Sequence, residues 1–196
     1  SVYPATDNSD PLVEEQWEPH DDTGTSEHVG AYGVGKRRAE QTLHARGSEI
    51  GRWSILRPTF VFGPGDPKGR LAWYVNALVN GLPVGSLDFV CNPVFSRDVA
   101  RLVLRVLDSP PPSGRCTNVA GREILSVGDL CNVIRRVLGI REQVHLGEPP
   151  TTPPMPPSGR FVMSVGRAMH ELDFEPTPVS SWIALTAGTK GQVPPD

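Results

Sequence analysis

Apolar positions along the chain fall into short helical and extended stretches separated by glycine- and proline-rich turns. From Gly30 to about Arg46 the spacing of Val34, Ala39 and Leu43 predicts one long helix closed near Gly47. Trp53-Ser54-Ile55-Leu56-Arg57 predicts a buried parallel strand that stops at Pro58, and Gly63-Pro64-Gly65-Asp66-Pro67 forces a loop after it. Helical spacing resumes from Leu71 to Val79 and ends at Gly81. Ser96 is expected to cap a further helix whose apolar stripe is Val99, Leu102, Val103, Val106 and Leu107. Cys116–Val119 predicts a short strand. Ser126 with Asp129 forms a capping-box signature before a helix carrying Leu130, Val133, Ile134, Val137 and Leu138, with Gly139 as its stop. Six prolines within residues 149–157 predict a stiff, extended connector, and Ser164–Leu172 and Val179–Ala187 predict two short helices. Helices alternating with short apolar strands define an α/β protein. The polar, acidic stretch 5–28 is expected to be a surface loop.

Composition narrows the function classes. With 196 residues, 38% hydrophobic and 21% charged, the chain can bury an ordinary globular core. A net charge of −3 gives no general attraction for nucleic acid or anionic membrane, so neither partner is expected. No apolar run approaches the roughly 20 residues of a membrane helix, and Ser1-Val2-Tyr3-Pro4 does not read as a signal peptide, so a cytoplasmic location is expected. Cys91, Cys116 and Cys131 lack metal-ligand spacing and the five histidines are scattered; reduced thiols and no metal site are expected. The opening S-V-Y-P reads like a strand entering a turn, as though the chain begins partway through a fold.

Tyr32-Gly33-Val34-Gly35-Lys36 carries the chemistry. A spacing of four on a helix places phenol and ammonium on one face. A free phenol has a pKa of about 10 and is a poor base at neutral pH. A neighbouring cation favours its anion, and such a pair can exchange a proton with a hydroxyl or carbonyl while a hydride moves to or from a cofactor.

The motif stands in an ordered series: S-V-Y, an acidic loop, Y-G-V-G-K-R-R-A-E, I-L-R-P-T-F-V-F-G-P-G-D-P and F-S-R-D-V-A-R, then Asn118-Val119-Ala120-Gly121 and Glu171-Leu172-Asp173-Phe174-Glu175-Pro176. That series resembles the extended short-chain dehydrogenase/reductases, the NAD-dependent epimerase/dehydratase family. The resemblance implies the last strands of a Rossmann-like doubly wound parallel sheet over residues 1–62, carrying Y-x-x-x-K, and a small mixed α/β substrate lobe over residues 63–196. It implies Tyr32 as catalytic acid/base, Lys36 as the ligand of the nicotinamide ribose, and a strand end at Pro58-Thr59 that meets the nicotinamide of NAD or NADP through the backbone of Thr59. Phe60, Asp66 and Arg70 become candidate substrate-pocket residues, with a turn residue and a solvated charge as the plainer reading of the last two. Asp98 matches a family position, but the helix dipole alone accounts for an acid in a first helical turn.

The departures are equally specific. The family's glycine-rich pyrophosphate turn does not occur in these residues, and Gly30, Gly33 and Gly35 follow no strand that would let them replace it. The position of the family's catalytic Ser/Thr would precede Ser1. Phe60 stands where sugar-nucleotide epimerases of the family carry Asn, and Cys91 stands where they carry Arg, which argues for a smaller or less anionic hydroxy or keto compound. The expected function is therefore NAD(P)-dependent oxidoreduction or epimerisation of a small molecule, inactive in this stretch alone. A homodimer through open sheet edges, or association with the missing N-terminal half, is expected. A non-catalytic binding or RNA-associated protein derived from the same fold remains the alternative; a glycine-rich turn and a Ser/Thr upstream would decide for the enzyme.

Overall fold

A computed structural model describes residues 2–3, 10–17 and 31–188. Helix α1 (Ala31–Ile50) is followed by strands β1 (Ser54–Pro58) and β2 (Val61–Phe62), helix α2 (Arg70–Val79), and strands β3 (Val90–Cys91) and β4 (Val94–Phe95). Helix α3 (Ser96–Asp108), strands β5 (Arg115–Val119) and β6 (Leu125–Ser126), helix α4 (Val127–Leu138), strand β7 (Arg160–Phe161) and helices α5 (Gly166–Leu172) and α6 (Val179–Gly188) complete the chain. Strands β1 and β5 pair in parallel, Ser54 opposite Arg115 through Pro58 opposite Val119. Among the described residues β1 has no second neighbour. Strands β2 and β4 also pair in parallel, and β3 lies between antiparallel β6 and parallel β7. This is a mixed α/β fold with the short parallel sheets of a Rossmann-like protein.

Both faces of the β1–β5 sheet are covered, for different reasons. On one face Val94, Leu102, Val119, Ala168, Leu172 and Phe174 form an apolar core, with Leu56 packed against it. The opposite face receives α1 and residues 2–3 and 10–17, and it is polar at its centre. The largest core lies beyond β2, where Leu71, Tyr74 and Leu78 of α2, Leu130 and Ile134 of α4 and Trp182 and Ile183 of α6 converge. There the Trp182 ring meets Phe62 at 5.6 Å and stacks on Phe95 at 6.1 Å.

Helix α4 starts as its sequence predicts: Ser126 Oγ accepts from the Asp129 amide at 3.0 Å while Asp129 Oδ2 accepts from the Ser126 amide at 3.0 Å. Those bonds hold the Asp129 carboxyl below its usual range, and Gly139 closes the helix at φ 67°.

Three expectations need correction. Ser96 does not cap α3; Phe95 holds the capping position, and no side chain caps the helix. Of the stripe expected on α3, Leu102 is buried, but Val103 and Leu107 are exposed together with Leu104, because the sheet is met along the Asp98–Leu102 side of the helix. The described part of stretch 5–28 is not a surface loop: Leu12, Glu14 and Trp17 are buried against the sheet. The rest of that stretch lies outside the described residues, as does Gly30. Within the proline-rich stretch 149–157, Met155 is buried in the largest core.

Candidate active site

The geometry of the site rests on a buried polar knot between α1 and β1. Arg57 and Glu40 pair in the fork geometry open to a guanidinium and a carboxylate, with Nε to Oε1 at 3.1 Å and Nη2 to Oε2 at 2.7 Å. Their side chains are only 5% and 9% exposed. Arg57 also donates to the Tyr3 hydroxyl at 2.7 Å and to the carbonyls of Glu14 and Trp17 at 3.2 and 3.1 Å. The Trp17 indole donates to Glu40 at 3.1 Å, and Tyr3 donates to Asn118 Oδ1 at 2.7 Å. Glu14 accepts the Asn118 amide at 2.8 Å. Burial works against the Arg57 charge, but the hydrogen bonds and charge of Glu40 overcome it and raise its pKa. Burial pushes the Tyr3 phenol up to about 12 although Arg57 pulls the other way.

This knot fixes the height of α1 along β1. A turn at Gly51–Trp53 reverses the chain, so the helix runs antiparallel to the strand with Glu40 level with Arg57. Lys36 lies four residues earlier, about 6 Å up the helix at ~1.5 Å per residue. Thr59 lies two residues later, about 6.6 Å along the strand at ~3.3 Å per residue. Lys36 and Tyr32, one and two turns before Glu40, thus lie on the part of α1 directed toward the C-terminal end of β1. In open parallel sheets ligands bind beyond that end of the strands.

Tyr32 and Lys36 are together, as their spacing predicts. The Lys36 ammonium lies 5.4 Å from the centroid of the Tyr32 ring, within cation–π range. Tyr32 is 72% exposed, and its hydroxyl bonds to no described residue. Pro58 ends β1 at the surface. Thr59 continues the ladder by one bond, its amide donating to the Val119 carbonyl at 3.0 Å. That amide is spent in the sheet. The Thr59 hydroxyl is buried and has no hydrogen-bond partner among the described residues.

The other candidates belong to a neighbouring cluster. Phe60 meets Phe89 and Phe161 edge to face at 5.4 and 5.8 Å, and the Arg70 guanidinium lies 5.8 Å from its ring. Asp66 pairs with Arg70 at 2.6 Å and accepts the amides of Lys68 and Arg70 at 3.0 and 2.9 Å, so it orders the entry to α2. Arg70 is not the solvated charge of the plainer reading; it is ion-paired and largely buried. Among the described residues no hydrogen bond, ion pair or ring contact joins Tyr32 or Lys36 to Phe60, Asp66 or Arg70. Asp98 does more than answer a helix dipole: it is buried, accepts the Thr177 amide at 2.7 Å and hydroxyl at 2.8 Å, and pairs with Arg101, tying α3 to the loop before α6. The three cysteines are buried, and burial raises the Cys91 thiol to about 12. Among the described residues no group of three or more His, Cys, Asp or Glu is placed to hold a metal, and no helix is long and apolar enough to cross a membrane.

The reading of the sequence missed Tyr3, Glu14, Trp17, Glu40, Arg57 and Asn118. One signal was available: Arg57 lies in a strand expected to be buried, and a buried charge requires a partner.

Short parallel strand pairs flanked by helices define a Rossmann-like α/β protein. The chain belongs to the NAD dependent epimerase/dehydratase family, whose sequence profile matches residues 1–120. No curated protein matches the sequence significantly. Among solved structures, a UDP-glucose 4-epimerase from Thermus thermophilus in complex with NAD is similar with TM-score 0.74 and 24% identity, over 98% of this chain and 61% of that one. A UDP-glucuronic acid 4-epimerase from Bacillus cereus in complex with NAD is similar with TM-score 0.70 and 17% identity, over 90% and 55%. RMD from Pseudomonas aeruginosa complexed with NADPH is similar with TM-score 0.66 and 19% identity, over 80% and 54%. The chain thus spans little more than half the length of these structures.

Proposed function

We propose that this chain supplies the proton-transfer pair and the substrate lobe of an NAD(P)-dependent epimerase or reductase that acts at a hydroxy or keto carbon of a small molecule. The observation that carries this reading is the Tyr32–Lys36 pair, exposed beyond the C-terminal end of β1 on a helix anchored by Glu40 and Arg57. The neighbours solved with NAD or NADPH support the choice of cofactor without deciding between the two.

The residues present suit the nicotinamide half of such a cofactor: a strand end at Pro58-Thr59, a buried hydroxyl lacking a partner among the described residues, and an exposed ammonium one turn before Glu40 for the ribose hydroxyls. When bound, the cofactor accepts or returns a hydride at the substrate carbon. Tyr32 takes the proton of the substrate hydroxyl as the carbon loses its hydride, leaving a carbonyl, and returns it in the reverse direction. Lys36 sets a positive charge 5.4 Å from the centroid of the Tyr32 ring. The glycine-rich turn that holds a pyrophosphate has no counterpart in these residues, so activity is assigned to a fold completed by that half and not to these 196 residues alone.

Phe60, Asp66 and Arg70 face the substrate in this reading. The Arg70 charge is neutralised by Asp66, and Phe60 offers a ring. Such a lining favours a small, weakly anionic hydroxy or keto compound over a sugar nucleotide. The division at residues 62 and 63, a cytoplasmic location, and pairing of the open β1 edge with the completing half or with a second copy belong to the same proposal.

The test is Tyr32→Phe in the completed fold, followed by NADH oxidation with a panel of small keto compounds. Turnover is expected to fall by about 10²–10⁴ with NADH binding unchanged. Unchanged turnover would remove the role given to Tyr32.

A further inference from the structure

The three cysteines occupy two kinds of surroundings. Cys91 and Cys131 belong to the largest core, and burial raises both thiols to about 12. Cys116 lies instead near the start of β5 and, at 9%, is the most exposed of the three. Its Sγ stands 4.0 Å from Nε2 of His44 on α1 and 4.0 Å from the Gly114 carbonyl oxygen. That imidazole is fixed from behind. It meets the Trp53 ring edge to face at 4.6 Å, and α1 crosses Trp53 so closely that a Cβ on Gly47 would come within 2.5 Å of the indole. Arg57, paired with Glu40, and Arg115, paired with Glu171, both lie within electrostatic reach of the sulfur. His44, Trp53 and Gly114 are half-buried, so the sulfur lies just below the surface.

We propose that Cys116 and His44 form a nucleophilic thiol–imidazole pair, a modification site at which a hydroperoxide oxidises the sulfur to a sulfenic acid. The thiolate is the nucleophilic form of cysteine, favoured beside Arg or His and disfavoured in apolar surroundings. An adjacent imidazole acts as the base that generates it. With Nε2 as the acceptor, His44 takes the Cys116 proton. The sulfur then attacks one peroxide oxygen, and the S–O bond forms as the O–O bond breaks. Sulfur is oxidised and the peroxide reduced; the departing oxygen takes the proton back from His44 and leaves as water or an alcohol. Cys116 pairs with Ile55, near the N-terminal ends of β1 and β5, and His44 follows Glu40 on α1 where Tyr32 and Lys36 precede it. The site is therefore separate from the proton-transfer pair, and it does not depend on the cofactor reading.

The test exposes this chain to hydrogen peroxide at neutral pH, removes the peroxide with catalase, and transfers the protein into denaturant containing dimedone, which captures sulfenic acids. Peptide mass spectrometry then measures the adduct at each cysteine, and Cys91 and Cys131 report in the same sample whether the core stayed closed. In wild type the Cys116 adduct should exceed the other two by about tenfold or more. His44→Ala should lower it about tenfold with Cys91 and Cys131 still protected, and added imidazole should restore it. Should His44→Ala open the core, all three cysteines will react. His44→Asn, which keeps a polar side chain of similar size but supplies no base, then takes its place with the same loss expected. Equal adducts at all three cysteines in wild type would overturn the proposal. So would a Cys116 adduct unchanged in a folded His44 variant, or one lost in His44→Ala that imidazole does not restore, since His44 would then serve packing alone.

Discussion

Two regions along helix α1 have opposite character. At Glu40 and Arg57 every charge is matched: a two-pronged ion pair, Tyr3, the Trp17 indole and two backbone carbonyls close the space. One to two helical turns away, Tyr32 projects into solvent beside Lys36, and the Thr59 hydroxyl is buried without a partner. A satisfied polar cluster over-determines where a helix sits, whereas an unsatisfied one leaves hydrogen-bonding capacity for a ligand. The first region holds the second in place, so damage to one should appear as lost stability and damage to the other as lost chemistry.

The contrast is most easily broken at Glu40. Glu40→Ala leaves Arg57 buried without its counter-charge, and urea unfolding should show a loss of about 3–5 kcal/mol. A loss below about 1 kcal/mol would mean that water enters the knot and that it does not anchor α1.

The next effect is alkaline. The folded pKa of Tyr3 is raised from about 10 to about 12, so the stability linked to its neutral form is complete below about pH 10 and declines as pH rises toward 12. The slope is negative because the native state keeps a proton that the unfolded chain has released. Two pKa units correspond to roughly 2–3 kcal/mol, and Tyr3→Phe should remove that part of the pH dependence measured by denaturant melts.

Much of this contrast was legible in the sequence at one end and hidden at the other. Tyr32 and Lys36 can be read because both lie on one helix, and a spacing of four fixes their relation. The α4 capping box is local in the same way. The knot is not local: Glu14, Glu40, Arg57 and Asn118 come from four segments, and only Arg57, charged in a strand expected to be buried, hints that it has a partner. The extent of burial on α3 was equally hidden, because an amphipathic pattern with Val103, Leu104 and Leu107 does not say how wide a face the sheet covers. The family resemblance pointed to the backbone of Thr59, but its hydroxyl's lack of a partner among the described residues is visible only in three dimensions.

Smaller effects sharpen the comparison. Ser126→Ala removes half of the α4 capping box, remote from both regions, and should cost about 1 kcal/mol. Tyr32→Phe and Lys36→Met should shift unfolding free energy by less than about 0.5 kcal/mol, as expected for exposed positions. A larger stability loss at either residue would make the pair part of the scaffold and erase the distinction drawn from Glu40.

The central claim is that the Tyr32 phenol stands beside a nicotinamide ring. It is tested most directly by nuclear Overhauser contacts between the cofactor and tyrosine- and threonine-labelled protein in the completed fold. The nicotinamide protons should show cross-peaks to the Tyr32 ring and the Thr59 methyl. A bound cofactor whose ring protons reach neither residue would contradict the account.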